Sequence, residues 1–231
     1  MMLPTLSSTL LVLLGAAATS RAVAIDTTNT ADLAARDGPT DLLEGYEVVG
    51  ELTWIGSVEE GGPEYTFTGN AESILKEILA LNPNYAPALE DPPPAENSTN
   101  VLAERSKGNI YCNFGGNGEI EVGRIEKEER YLRSLGTSKC HVGAGPGKCV
   151  RVSCSYNAGV WLCNDNKYAV SPRCTSLADY VRNIINRCQR HLYAPCWWNE
   201  GKTCTTVDEW RVRGQQFDSD GYNVIIGSSK C

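Results

Sequence analysis

The feature that most constrains the fold of this chain is the position of its cysteines. All ten lie between residues 112 and 231, and the first 111 residues contain none. They are Cys112, Cys140, Cys149, Cys154, Cys163, Cys174, Cys188, Cys196, Cys204 and Cys231. An even number of cysteines concentrated in one segment is typical of the disulfide framework of a small extracellular domain. We therefore predict five disulfides, and the sequence leaves their pairing open.

A metal site is the competing interpretation of the cysteines. Zinc-binding cysteines usually occur as C-x-x-C pairs with histidines nearby. The chain has no C-x-x-C pair, and its two histidines are His141 and His191. We therefore predict no metal ligand and no cofactor.

The first residues carry the pattern of a secretory signal peptide. An apolar run extends from Leu10 to Ala18, and a small-x-small motif, AVA, ends at Ala24. The run is too short to span a bilayer, so we interpret residues 1–24 as a signal peptide rather than an anchor. No later stretch has the length and apolarity of a transmembrane helix, and we expect a secreted, extracellular protein.

Charge divides the rest of the chain into two parts. Residues 25–107 contain sixteen Asp or Glu against four Lys or Arg, a net charge of −12. Residues 108–231 contain twelve acidic residues against sixteen basic ones, a net charge of +4. We predict an acidic, propeptide-like leader in front of a basic cysteine-rich domain. The positive charge favours anionic partners such as cell-wall polymers or membrane surfaces, and no nucleic-acid-binding module is recognisable.

One stretch of the acidic leader has the pattern of a folded unit. Residues 46–83 read as two alternating strands around a Glu-Gly-Gly-Pro turn, followed by a helix that ends at Asn82. Such a ββα unit is near the lower size limit for independent folding, so we expect it to dock on the cysteine-rich domain. Our hypothesis is that the leader shields the basic face until proteolytic cleavage, for which Arg105 is a candidate site.

The segment 91–107 is predicted to be a linker. Three consecutive prolines, from Pro92 to Pro94, favour a stiff, extended chain. Asn97 begins an Asn-Ser-Thr sequon, which predicts N-glycosylation of a secreted protein at this point.

Residues 108–231 show the periodicity of an α+β domain. Apolar positions at helical spacing predict helices over 122–135 and 174–188, the second with a cysteine at each end. Alternation predicts a hairpin over 149–163, which Cys154 and Cys163 would join to other elements. A second hairpin is predicted around the turn at 218–221, and its last strand is expected to be central. We therefore predict two helices on one face of an antiparallel sheet.

Three local details belong to this prediction. Asn157, Ala158 and Gly159 are expected to form the first hairpin loop, with Gly159 in the left-handed conformation. Ser176 and Asp179 are expected to start the second helix as a capping box. The charged side chains of the first helix are expected to face solvent.

The order of four features carries a resemblance to a known family. They are Ile110-Tyr111-Cys112, the cysteine hairpin from Cys149 to Cys163, the amphipathic helix from Leu177 to Cys188, and the last segment from Gly214 through Tyr222-Asn223-Val224 to Cys231. In this order the domain resembles small secreted cysteine-rich fungal proteins of the smut-fungus killer-toxin type. The resemblance covers residues 108–231 and rests on pattern rather than on long identity.

The resemblance implies a disulfide-rich α/β sandwich and a secreted toxin or host-directed effector. It also implies action at the target cell surface, on ion channels, through exposed basic residues. This chain departs from the pattern in its acidic leader and in an additional segment, APCWWNEGKTC, that ends at Cys204. We match no functional lysine of the family to a position in this chain.

Two tryptophans are the first candidates for binding. Trp197 and Trp198 lie between Cys196 and Cys204. Adjacent residues of an extended loop point in opposite directions, so one ring would be exposed and able to stack on a sugar or enter a membrane interface. The alternative is that both rings cover the core.

A basic patch near the second helix and the final hairpin is the second candidate. Its members are Arg182, Arg187, Arg190, Arg211 and Arg213. A functional patch predicts activity that weakens as salt is added. Ordinary solvated surface charge is the alternative.

A catalytic function would require a histidine together with a carboxylate. A ribonuclease-like site needs a base, an acid and a cation. The available carboxylates include Glu119, Glu121, Asp165 and Asp208. Nothing in the sequence places these residues together, and no G-x-S-x-G, H-E-x-x-H or P-loop motif is present.

We therefore predict a secreted, glycosylated, disulfide-stabilised toxin or effector that acts by surface binding and not by catalysis. Its expected partner is a cell-surface or cell-wall component of a host or competitor. A small secreted hydrolase of the ribonuclease type, and a carbohydrate-binding wall protein, stay open as alternatives.

Overall fold

The computed structural model describes residues 43–89, 107–195 and 206–231. Several sequence predictions lie outside these ranges. They are the signal peptide at 1–24, the linker at 91–107 apart from Lys107, the sequon at Asn97, the cleavage site at Arg105, and the loop with Cys196, Trp197, Trp198 and Cys204.

Within these ranges the chain forms eleven strands and three helices. The strands are β1 (Glu47–Ser57), β2 (Glu64–Gly69), β3 (Lys107–Cys112), β4 (Ile120–Glu121), β5 (Lys139–His141), β6 (Lys148–Ser155), β7 (Ala158–Asn164), β8 (Arg190–Ala194), β9 (Val207–Val212), β10 (Gly214–Asp218) and β11 (Tyr222–Ser228). The helices are α1 (Ala71–Leu81), α2 (Val122–Ser134) and α3 (Cys174–Cys188). The predicted α+β class is confirmed.

Most of the strands belong to one sheet. Its order is β2-β1-β6-β7-β11-β10-β3, and β5 also pairs with β1. All neighbours in it are antiparallel except β1 and β6, which are parallel. A separate three-stranded sheet has the order β4-β9-β8. The strand β11 is central, as predicted, because it lies between β7 and β10.

The strand–strand–helix pattern of residues 46–83 is present as β1, β2 and α1, but its sheet extends further. Asn70 caps α1 by accepting a hydrogen bond from the backbone N–H of Ser73. Residues 47–51 of β1 pair with residues 148–151 of β6. Sequence on both sides of the proposed boundary at 107/108 therefore contributes to one sheet.

Alternation along the central strands divides the buried side chains between two clusters. In β7, Val160 and Leu162 belong to the larger cluster, whereas Trp161 and Cys163 belong to the smaller one. The larger cluster contains the apolar sides of all three helices. The smaller cluster contains Leu43, Cys149, Trp161, Cys163 and Ile225, with Tyr46, Val48 and Phe114 packed against it.

The charged side of α2 differs from the prediction of full solvation. Glu128 and Glu129 are buried. Glu128 accepts hydrogen bonds from the hydroxyls of Ser153 and Ser155 on β6, and Glu129 pairs with arginine side chains. Helical spacing alone placed these two carboxylates in solvent, whereas the approach of β6 and α3 encloses them.

Four disulfides confirm the cysteine framework within the described residues. They are Cys112–Cys188, Cys140–Cys174, Cys149–Cys163 and Cys154–Cys231. The first two tie the end and the start of α3 to β3 and β5. The last ties β6 to the C-terminal residue. Every cysteine in the described ranges is paired.

Cys163 does not join its hairpin to another element. It pairs with Cys149 of β6, the neighbouring strand of the same hairpin. The two residues lie opposite each other in the ladder, with Cα atoms 4.0 Å apart, so the nearest thiol is the one across the hairpin. The prediction that Cys154 joins the hairpin to another part of the chain is confirmed.

The predicted hairpin loop is displaced. The turn between β6 and β7 is formed by Tyr156 and Asn157, with φ of 48° and 63°. Positive φ at both central residues is typical of a tight two-residue hairpin turn. Gly159 lies inside β7 instead, where an added Cβ would be 2.6 Å from Cη2 of Trp161. Close packing, rather than the turn, therefore requires glycine at this position.

The predicted capping box is absent from the start of α3. The helix begins at Cys174, and the preceding Arg173 makes no side-chain capping hydrogen bond. Asp179 accepts a hydrogen bond from Arg133 of α2 instead. The Cys140–Cys174 disulfide fixes the first turn of this helix.

Candidate recognition surface

The strands β8 and β9 form a ribbon, and the loop with Trp197 and Trp198 connects them in the sequence. Antiparallel pairing extends from Arg190 opposite Arg211 to Ala194 opposite Val207. At its base β9 also pairs with β4, where Ile120 lies opposite Val212. The outer part of the ribbon therefore lacks a third strand among the described residues.

One side of this ribbon carries aromatic and polar side chains. His191 lies opposite Trp210, and Tyr193 lies opposite Asp208, so the four side chains share one side. The rings of His191 and Trp210 are 5.2 Å apart between centroids, and Nε2 of His191 is 2.6 Å from Oδ1 of Asp208. Trp210 is 51% exposed and Tyr193 is 59% exposed. We call these four residues the ribbon aromatic face.

The opposite side of the ribbon is attached to the rest of the fold through Glu119. Arg190 donates from Nε to Oε1 of Glu119 (2.6 Å) and from Nη2 to Oε2 (2.5 Å). Arg211 donates to the Glu119 carbonyl at 3.3 Å. The hydrogen bonds from Arg190, together with the charges of Arg190, Arg213 and Arg211, hold the pKa of Glu119 below its ordinary value although partial burial opposes this.

The five arginines of the predicted basic patch occupy different environments. Three of them surround Glu119, as described above. Arg182 lies on α3 and pairs with Glu126 and Glu129 of α2. Arg187 is exposed in the last turn of α3. Neighbouring carboxylates therefore balance several of these charges, which reduces the net attraction of the set for an anionic partner.

The two histidines lie on different sheets. His191 is on β8, whereas His141 ends β5, which pairs with β1. Nδ1 of His141 is 2.9 Å from Oγ of Ser171. Beside this pair is a cleft of about 430 Å³, lined by residues from 166–172 and from the turn 219–222. The structure thus gives each histidine one polar partner but does not combine them in one site.

The candidate carboxylates are also separated. Asp208 contacts His191, Glu119 contacts Arg190, and Glu121 pairs with Arg124. Among the described residues, these side chains do not place a base, an acid and a cation around one cleft.

Asp165 belongs to a polar network beside the smaller cluster. The side-chain amide of Asn223 donates to Oη of Tyr46 and to Oδ2 of Asp165, both at 2.9 Å. The amide of Gln215 donates to Oδ1 of Asn223 at 3.0 Å. Burial, followed by the charge of Asp165, raises the pKa of Tyr46. The tyrosine therefore stays protonated at neutral pH and joins residues 43–46 to β10 and β11.

No cluster of three or more His, Cys, Asp or Glu side chains suited to hold a metal ion occurs in 43–89, 107–195 or 206–231. In the same ranges no helix has the length and apolarity needed to cross a membrane.

Comparisons with models of protein families, with curated proteins and with solved structures give no match. A functional proposal for this chain therefore rests on the chemistry and placement of its own residues.

The sequence prediction did not include Tyr193 and Trp210. A signal for Trp210 is present, because Asp208, Trp210 and Val212 alternate with two charged residues. In a strand this alternation places the tryptophan and Arg211 on opposite sides. The cross-strand partner of Trp210 has no such local signal, because it depends on the register of the ribbon.

Proposed function

We propose that this protein is a secreted, disulfide-stabilised toxin or host-directed effector that binds a surface component of a host or competitor cell. The ribbon aromatic face is its recognition surface in this proposal. The observation that carries the proposal is the exposure of Trp210 and Tyr193 on a ribbon whose other side is attached through Arg190 and Glu119.

The attachment of the ribbon supports a binding role. The helix α3 ends at Cys188, two residues before β8 begins, and the Cys112–Cys188 disulfide fixes this point to β3. Tyrosine and tryptophan are enriched among the residues that dominate binding energy, since they give a large contact area with few rotatable bonds. A surface that is already ordered loses less entropy on binding.

The chemistry of the ribbon aromatic face also favours a carbohydrate ligand, which makes a wall-binding protein the second candidate. The rings of Trp210 and Tyr193 offer apolar surface on which a sugar ring can stack. His191 and Asp208 lie beside the indole and supply a hydrogen-bond donor and acceptors for hydroxyl groups. Cells and isolated cell-wall polysaccharide are therefore the two ligand preparations to compare.

Binding by matched tryptophan and tyrosine variants tests this proposal. Trp210→Ala should weaken binding about tenfold or more without a change in melting temperature. Tyr168→Ala, which removes a 64% exposed ring outside the ribbon, should bind like the unchanged protein. Equal binding by both variants would remove the ribbon from the proposal. Binding to cells but not to polysaccharide would favour a protein or lipid target.

A hydrolase is the alternative that the His141–Ser171 pair favours, since a serine beside a histidine at a cleft is one arrangement for nucleophilic catalysis. Turnover of RNA and of cell-wall glycans by the unchanged protein, His141→Ala and His191→Ala distinguishes the classes. Turnover that only His141→Ala abolishes would support the hydrolase. No turnover of either substrate would leave binding as the supported function.

Secretion, glycosylation and the fifth disulfide belong to the same proposal. Mass spectrometry of the product from the culture medium, with and without reduction, should show an N-terminus after residue 24 and a glycan on Asn97. It should also show a Cys196–Cys204 bond. Free thiols at these two positions would contradict the fifth bridge.

A further inference from the structure

We infer that residues 43–89 are a permanent part of the folded domain, so that cleavage within residues 90–106 produces a two-chain protein held together without a covalent link. This inference is independent of the proposed function. It differs from the hypothesis of a shielding leader, in which the acidic segment separates after cleavage.

Backbone pairing is the first support for the inference. One part of β1 pairs with β6, and another part pairs with β5, where Trp54 lies opposite Cys140. Removal of β1 would therefore leave the edges of two strands of the cysteine-rich region without a neighbour. Such open edges favour pairing with other chains, and folded proteins usually keep them covered.

The larger buried cluster is the second support. Leu52 and Trp54 of β1 and Ile74 and Ile78 of α1 have no exposed surface. They belong to the same cluster as the apolar sides of α2 and α3. Loss of residues 43–89 would uncover this cluster, and an apolar surface of that kind is unusual on a soluble protein.

The smaller cluster receives residues from the same segment. Leu43 is buried there against Cys149 and Trp161, and Tyr46 accepts its hydrogen bond from Asn223. The segment therefore contributes to both buried clusters of the domain.

Specific polar contacts join the segment to the end of α2. The indole N–H of Trp54 donates to the carbonyl of Leu135 at 3.4 Å, and the hydroxyl of Tyr85 donates to the same carbonyl at 3.2 Å. The N–H of Thr137 donates to the carbonyl of Ala88 at 2.9 Å. These contacts reach the last residues before position 90.

The acidic residues of the segment contact a different set of cations from the predicted basic patch. Glu47 pairs with Lys148, and Glu51 pairs with Arg151, both on β6. These ion pairs reinforce the β1–β6 ladder. None of the ion pairs of the described residues joins 43–89 to the five arginines of that patch.

Noncovalent association follows from the cysteine positions. The first cysteine is Cys112, so no disulfide can join residues 43–89 to the rest of the chain after a cut. The two fragments would then be held only by the ladder, the clusters and the contacts described above.

A site for a sequence-specific protease, placed in 90–106 with flexible flanking residues, tests the inference. Complete cutting is first verified by denaturing mass spectrometry. Native mass spectrometry should then show both fragments in a 1:1 complex. The melting temperature of the cut protein should rise with protein concentration, whereas that of the uncut protein should not. A fragment 107–231 that separates and keeps its near-ultraviolet circular dichroism would overturn the inference.

Matched variants of the cut protein make the test specific. Trp54→Ala should raise the dissociation constant between the fragments about tenfold or more, because a large buried side chain is lost. Val49→Ala, at a half-exposed position of the same strand, should leave it nearly unchanged. Trp54→Phe serves in place of the alanine variant if that protein does not fold. Equal dissociation constants for the tryptophan and valine variants would contradict the proposed interface.

Discussion

Arg190 and Glu119 form a two-point ion pair that fixes the ribbon against the rest of the fold. The nitrogens Nε and Nη2 of the arginine lie 2.6 and 2.5 Å from the two carboxylate oxygens. The side chain of Glu119 is only 18% exposed, whereas that of Arg190 is 54% exposed. A planar guanidinium that meets both oxygens restrains orientation as well as distance. The carboxylate of Glu119 therefore acts together with the β4–β9 ladder to set the direction of the ribbon aromatic face.

Replacement of that carboxylate should destabilise the protein in a pH-dependent way. Glu119→Gln removes the charge, and we expect a loss of about 1 kcal/mol at pH 7, because the arginine is half exposed. The pKa of Glu119 is lowered in the folded protein. Its stabilisation is therefore present above the unfolded-state pKa and is lost as the pH falls through the folded-state pKa.

Thermal unfolding of this variant and the unchanged protein across the acidic range measures the effect. The difference in melting temperature should be largest near neutral pH and should disappear in strong acid. Glu121→Gln, which alters a more exposed pair with Arg124, is the control and should show a smaller difference. A difference for Glu119→Gln that persists unchanged in strong acid would contradict this account.

Glu128 should show the opposite pH dependence. Burial is the largest influence on its pKa and raises it. Hydrogen bonds from Ser153 and Ser155 and the charge of Lys127 lower the pKa, and the charge of Glu72 raises it. The folded state therefore binds this proton more tightly than the unfolded state. Ionisation of Glu128 costs stability as the pH rises from the unfolded-state pKa to the folded-state pKa.

Glu128→Gln removes this titration but keeps a similar shape. The stability of the variant relative to the unchanged protein should therefore increase as the pH is raised from the acidic range to neutrality. Urea denaturation at several pH values measures it, with Glu126→Gln on the same helix as the control. A relative stability that stays constant with pH, or decreases, would show that Glu128 does not titrate as described.

Two disulfides of different loop length should contribute unequally to stability. Cys154–Cys231 closes a sequence separation of 77 residues, and Cys149–Cys163 closes one of 14. In the chain-entropy model the stabilisation grows from about 3 kcal/mol for the shorter loop to about 4.5 kcal/mol for the longer one.

Alanine pairs compare the two bridges directly. Cys154→Ala with Cys231→Ala should cost about 1 kcal/mol more stability than Cys149→Ala with Cys163→Ala, because the longer loop is released. The difference is smaller than loop closure alone gives, because removal of the fully buried shorter bridge also loses packing. Chemical denaturation of both proteins measures this. A larger cost for the shorter bridge would show that packing, not loop closure, dominates.

Local patterns were sufficient to predict the helices and the cysteine framework. The apolar spacing of Ile125 and Leu132, and of Val181 and Ile184, corresponds to the buried sides of α2 and α3. The turn before β11 was predicted as well, from the residues 218–221, and Gly221 adopts a φ of 73° there. Each of these signals lies within one element and needs no knowledge of its neighbours.

Pairing between distant segments had no local signal. The parallel ladder of β1 and β6 joins residues about a hundred positions apart, and nothing in either strand specifies the other. The division of charge at 107/108 favoured a separate leader, although Glu47 and Glu51 pair with cations of β6 in the same sheet. The candidate site could not be predicted for the same reason, because the register of β8 and β9 places Trp210 opposite His191.

Binding through the ribbon aromatic face should depend little on salt. Arg190 and Arg211 already contact carboxylates or a backbone carbonyl, and stacking on Trp210 involves no net charge. Raising the sodium chloride concentration from about 0.05 to about 0.5 M should change the affinity for the target cell less than about threefold, because screening acts on unbalanced charge. Arg182→Ala, whose side chain pairs with Glu126 and Glu129, should bind like the unchanged protein. Titrations at several salt concentrations provide the measurement. Two results together would assign recognition to exposed basic residues instead of the aromatic face. They are a steep loss of affinity of the unchanged protein with salt, and weaker binding by Arg187→Ala at low salt.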